Sequence, residues 1–224
     1  MPLTNWAILF FSHFALIFLL KSENDNRNKI INSLSRKLTT VYFALLFLFT
    51  LTAYYDFRFI VEELIKSSFY LILIIYCSKH FYLLRDIKLK PISLIITVLA
   101  SLVFYLFIRE LYGSSRSILS TDFSIINYGY FYALLLLCVL PGITEEIFFR
   151  LVIFDKLRLH YSEKNTILIS SFFFVLIHFV NYPLISAGYL FLLSIILGII
   201  RIKFKNVNYC IIFHTLYNFL ILEF

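Results

Sequence analysis

The chain has 224 residues, of which 61% are hydrophobic, 20% aromatic and only 15% charged, and its mean hydropathy is +0.89. That composition lies outside the range of soluble globular domains and makes lipid the natural solvent. Five Gly and four Pro exclude a collagen-like or linker-rich chain, and the lack of alternating segments of about ten residues argues against a membrane β-barrel. Spans of about 20 apolar residues leave room for roughly eight helices and for no separate soluble domain. The fold class expected is therefore all-α, a polytopic membrane helix bundle occupying residues 1–224 as one membrane domain.

Apolar runs place the helices at Leu3–Leu20, Leu38–Tyr55, Ile60–Tyr82, Pro91–Ile108, Asn127–Phe154, Thr166–Tyr182, Leu184–Ile200 and Asn206–Leu222. The first run lacks the basic flank and small-residue cleavage site of a secretory signal, so it is kept as a span. Glu62, Glu63 and Lys66 make the first turns of the third an interfacial ramp. The stretch from Leu111 to Asn127, with Gly113, several Ser and Asp122, is the longest external connector. Gly188 and Gly198 in the seventh span permit close helix contact without forming GxxxG. Cys77, Cys138 and Cys210 are isolated within apolar runs and read as small core residues, not as a disulfide or metal framework.

Positive charge tests this division independently, because Lys and Arg collect on the cytoplasmic side. The odd-numbered connectors and adjoining helix ends carry sixteen, namely Lys21, Arg27, Lys29, Arg36 and Lys37, then Lys79, Arg85, Lys88 and Lys90, then Arg150, Lys156, Arg158 and Lys164, and finally Arg201, Lys203 and Lys205. The even-numbered ones carry four, Arg58, Lys66, Arg109 and Arg116. This alternation places both termini outside and the odd loops in the cytoplasm. The net charge of +7 is then accounted for by topology and anionic headgroups, and no nucleic-acid partner is expected.

Ionisable groups at membrane depth are costly and mark cavities, partners or reactions. The fifth span contains Pro141, Gly142, Ile143, Thr144, Glu145, Glu146, Ile147, Phe148, Phe149 and Arg150, with apolar sequence on both sides. Glu146 and Arg150 are four apart and share a helix face, whereas Glu145 points about 100° away. The sixth span holds His178, and the eighth holds His214 and Asn218 one turn apart. At about 1.5 Å per residue from the cytoplasmic ends, Glu145, His178 and His214 reach depths of about 15, 18 and 12 Å. Singly, each has a structural reading: an ion-paired helix end, a packed histidine, an interhelical amide. Together at one level they can orient and deprotonate water and stabilise an oxyanion, and amide hydrolysis is the economical reading. His13, His80 and His160 have no such company.

The motifs EExxxR (Glu145, Glu146, Arg150), FxxxH (Phe174, His178) and HxxxN (His214, Asn218), in that order and spacing, resemble the CAAX processing and bacteriocin-processing membrane proteases. This family, also called CPBP or Abi, includes the type II CAAX prenyl endopeptidases. The resemblance covers residues 128–224, which it marks as the catalytic core. It implies an intramembrane endopeptidase in which Glu145 and His178 activate water, His214 and Asn218 line the oxyanion side, and Glu146, Arg150 and Phe174 support them. Family members are called metalloproteases and also glutamate-dependent, metal-free enzymes. If a metal is used, zinc on Glu145, His178 and His214 is the ligand set. These three lie on separate helices without the HExxH turn, so metal-independent chemistry with no cofactor is preferred.

The expected partners are the lipid bilayer and a membrane-associated peptide or protein. Abundant Phe, Ile, Leu, Asn and Lys with few Gly suggest an AT-rich bacterial genome and a bacterial cell membrane, favouring bacteriocin-type peptides over prenylated substrates. The alternative is a non-catalytic bacteriocin immunity or export accessory protein. A small proton-coupled transporter is a third class, disfavoured because no internal repeat is evident.

Overall fold

A computed structural model describes residues 89–112, 131, 134–178 and 186–223. The spans expected at Leu3–Leu20, Leu38–Tyr55 and Ile60–Tyr82, and all but the first two residues of the connector from Leu111 to Asn127, lie outside the described residues. What is described is entirely helical, with no strand among the described residues.

Helix α1, Pro91–Tyr112, begins with a proline in its first turn, where no N–H is needed. The preceding Lys90 N–H donates to Tyr209 Oη at 2.6 Å, which ties the entry of α1 to the last helix. Its inward face carries Thr97, Ser101, Phe104, Tyr105 and Ile108, all buried, while Ile92, Ile95, Leu99, Leu102, Val103 and Leu106 are exposed. An apolar outer face of this kind suits lipid, and the 21 residues Pro91–Leu111 are long and apolar enough to cross a membrane.

The next helical path, residues 134–157, is labelled α2. It runs through a π-helical stretch Leu134–Val139, an α-helical turn pair Leu140–Glu146, a second π-helical stretch Ile147–Ile153 and a short α-helical end Phe154–Leu157. Backbone angles at the junctions stay right-handed helical, so the path is one helix of varying width. Pro141 accounts for the first widening: it has no N–H for the carbonyl of Leu137 and its ring crowds that turn. Thr144 Oγ1 donates back to the Leu140 carbonyl at 2.8 Å, a bond that further bends the same turn.

A short turn leads to α3, Glu163–His178. Ser162 caps it, its Oγ accepting from Asn165 N–H at 3.4 Å. Helix α4, Ser186–Phe204, is the second membrane-length apolar helix. It passes to α5, Val207–Glu223, through Lys205, whose φ of 54° is left-handed, and Asn206, whose Oδ1 accepts from Asn208 N–H at 2.9 Å. This tight reversal makes α4 and α5 antiparallel neighbours.

Helix α5 packs against α1, α2 and α4, and α3 packs against α4, so α5 is the axis of the described bundle. The α2–α5 contact is close because Gly142 has no side chain; a Cβ there would strike Thr215 Oγ1 and approach the Thr215 backbone nitrogen at 3.1 Å. At Gly198 a Cβ would meet Ile167 at 3.1 Å, so this glycine serves the α3–α4 contact, whereas Gly188 is exposed. Cys138 and Cys210 are buried, and Cys210 Sγ donates to the Leu197 carbonyl at 3.3 Å.

Candidate active site

The site grows from one turn of α2. Glu145 and Glu146 are adjacent, both buried, and diverge onto different neighbours. Glu145 faces α3: its Oε2 lies 3.4 Å from Nε2 of His178, with both side chains almost wholly enclosed. Nδ1 of His178 is 2.7 Å from the Phe174 carbonyl. A carbonyl only accepts, so Nδ1 carries the proton, and the lone pair or second proton of the ring is at Nε2, toward Glu145. The FxxxH spacing thereby has a mechanical meaning: the carbonyl one turn back fixes the tautomer of the histidine.

Glu146 faces α5 and its own following turn. Its Oε1 is 2.8 Å from His214 Nδ1, and its Oε2 is 3.2 Å from Arg150 Nε. Arg150 is fully buried; it donates through Nη2 to Ser194 Oγ at 2.8 Å, and its guanidinium carbon stands 5.5 Å from the centre of the Phe174 ring. Phe174 joins the two halves, its ring centre 4.4 Å from that of His178 and 6.0 Å from that of His214. Its neighbours in sequence do not share this role, for Phe172 is exposed and Phe173 only half-buried.

Asn218 is brought to the same helix at another point. Its Nδ2 donates to the Leu137 carbonyl at 3.3 Å, the acceptor that Pro141 leaves without its α-helical donor. Of the residues singled out in the sequence, the structure thus pairs Glu145 with His178, and Glu146 with both Arg150 and His214, with Phe174 between the histidines. His160, which had no assigned role, is exposed on the turn after α2.

The zinc alternative needs Glu145, His178 and His214 on one ion. His214 places its Nδ1 on Glu146, a contact that a metal-bound imidazole also makes through its second nitrogen, and among the described residues no three His, Cys, Asp or Glu side chains form a group able to hold a metal.

Three further residues, two of them buried and one half-buried, are not legible in the sequence. Ser194 has no motif around it. Arg201, treated as a connector charge, is buried and donates Nε to the Arg150 carbonyl at 2.9 Å; Asp155 receives its Nη2 at 2.9 and 2.7 Å. The available signal was Asp155, an acid set among the basic residues that end α2. Arg150, which the sequence both counts with the charged helix ends and pairs with Glu146 by spacing, is wholly enclosed beside that carboxylate.

Residues 127–220 match the family model described as type II CAAX prenyl endopeptidase Rce1-like. The matched segment contains Glu145, Glu146, Arg150, Phe174, His178, His214 and Asn218. No curated protein and no solved structure matches the chain.

Proposed function

We propose that this chain, whose residues 127–220 match the type II CAAX prenyl endopeptidase Rce1-like model, is an intramembrane endopeptidase that hydrolyses a peptide bond of a membrane-associated peptide or protein. The observation that carries the reading is the enclosed Glu145–His178 pair at 3.4 Å, set beside a second carboxylate–histidine pair on the next residue of the same helix.

In this mechanism a water lies beside the pair, within hydrogen-bond reach of both Glu145 and Nε2 of His178. The separation exceeds that of a good N–H···O hydrogen bond, which suits a pair that tightens around water and substrate. Glu145 takes a proton as the water oxygen attacks the scissile carbonyl carbon. The carbonyl oxygen becomes an oxyanion, the C–N bond then breaks, and Glu145 returns the proton to the leaving amine. No cofactor enters these steps.

Glu146 sets the protonation of His214. Ionised beside Arg150, it accepts only, so the proton between it and His214 is on Nδ1. For Nε2 to donate to the oxyanion, His214 must carry both protons, and Glu146 balances that charge. Asn218 commits one amide N–H to Leu137; its other N–H is the one assigned to the oxyanion.

The whole protein is read as an eight-span bundle with both termini outside and the site open toward the Lys- and Arg-rich cytoplasmic side. Bacteriocin-type peptides in a bacterial cell membrane are the substrates favoured by composition. The test uses purified chain in proteoliposomes with a membrane-associated peptide. Glu145→Ala, His178→Ala and His214→Ala are each expected to abolish cleavage while membrane insertion persists; full activity in Glu145→Ala would remove the mechanism. If protection against a peptide toxin survived in Glu145→Ala, the protein would act by binding, as an immunity or export accessory protein.

A further inference from the structure

Two carbonyls of α2 lack the backbone donor that α-helical winding would give them, and each is met by a side chain from another helix. At Leu137 the donor is Asn218. At Arg150 the matching N–H, that of Phe154, is bonded to Phe149 instead, and Nε of Arg201 donates to the Arg150 carbonyl at 2.9 Å. Asn218 belongs to the site already described; Arg201 and Asp155 do not.

Arg201 is 8% exposed, and its guanidinium does two things at once. Nη2 contacts both oxygens of Asp155, while Nε takes the Arg150 carbonyl. Asp155 and Arg150 are five residues apart on α2, the spacing of a π-helical turn, so one guanidinium from α4 spans one wide turn of α2. Ser194, seven residues before Arg201 and on the same face of α4, holds the Arg150 guanidinium at 2.8 Å. Helix α4 therefore grips Arg150 by its backbone and by its side chain.

We propose that Arg201, anchored by Asp155, is a positioning residue. It keeps residues 147–153 in their wide winding, which sets the direction from which Arg150 meets Glu146 and so the orientation of His214. The proposal rests on the reading that His214 faces the reacting carbonyl. An ion pair that merely joined α2 to α4 would need Asp155 alone; the bond to the Arg150 carbonyl is what an arginine adds, since it alone offers two separately directed donor edges.

The experiment uses the full chain in nanodiscs with isotope-labelled histidine, the His214 signal being assigned through His214→Gln. The His214 titration and peptide cleavage are measured in the wild type, Arg201→Ala, Arg201→Lys and the exchange Asp155→Arg with Arg201→Asp. The groups around His214 are Glu146 and, behind it, Arg150 from α2, and His178 of α3 across the Phe174 ring. Arg201→Ala is expected to lower kcat by roughly tenfold to a hundredfold with little change in KM, and to move the His214 titration. Arg201→Lys should recover part of both, and is the variant to read if Arg201→Ala does not fold. The exchange should recover thermal stability but neither kcat nor the titration. An unchanged His214 titration in Arg201→Ala, or in Arg201→Lys should that be the variant that folds, overturns the proposal, and so does full recovery in the exchange. A wild type that cuts no membrane peptide would sink the protease reading, and the His214 titration would still decide the role of Arg201.

Discussion

Helices α1 and α2 are both apolar and both pack on α5, yet they treat polar groups in opposite ways. In α1 the buried polar side chains include two short hydroxyls satisfied by nearby carbonyls, Thr97 Oγ1 on Ser93 at 2.8 Å and Ser101 Oγ on Phe213 at 3.2 Å. In α2 the buried polar groups are the Thr144 hydroxyl and, beyond it, two carboxylates and a guanidinium. A hydroxyl bonded to a carbonyl is inexpensive in lipid and glues helices modestly. An enclosed ion is retained only with a partner, and it carries a large penalty once that partner is removed. The difference separates a helix that builds the bundle from one that builds a site.

Substitutions along the two helices can break or sharpen that contrast. The largest effect is expected at Arg150, where Arg150→Met leaves Glu146 enclosed without its guanidinium and should cost about 3–5 kcal/mol. Adding Glu146→Gln to it should restore much of the thermal stability without restoring activity, as thermal melting and cleavage of the double variant would report. Next comes Gly142→Ala. Its methyl group would press on Thr215, part α2 from α5 and cost about 1–3 kcal/mol, with cleavage falling because the Glu146–His214 contact crosses that interface. The smallest effect belongs to α1: Ser101→Ala should cost about 1 kcal/mol or less and leave kcat unchanged. A Ser101→Ala variant as damaged as Arg150→Met would erase the distinction between the helices.

The sequence made the helical class and the order of Glu145, His178 and His214 legible, because apolar length and the i, i+4 spacing are properties of single helices. The start of a helix moved: the sixth span, expected from Thr166, begins at Glu163, since Ser162 supplies a cap that hydropathy does not weigh. Partners across helices were harder to read. His214 and Asn218 share a face in the sequence pattern and both meet α2, one at Glu146 and the other at the Leu137 carbonyl, acceptors on a second helix that spacing within one helix does not reveal. Arg201 looked like a connector charge for the same reason. Its acceptor is a carbonyl uncovered by π-helical winding, and no residue type announces that winding.

The account turns on a division of labour between neighbours, Glu145 reactive and Glu146 supporting. The most direct measurement compares Glu145→Gln with Glu146→Gln in one proteoliposome preparation, reading thermal midpoint and peptide turnover side by side. Glu145→Gln should keep the wild-type midpoint and lose turnover, while Glu146→Gln should lose stability because Arg150 is left enclosed without its carboxylate. Wild-type turnover in Glu145→Gln would contradict the account.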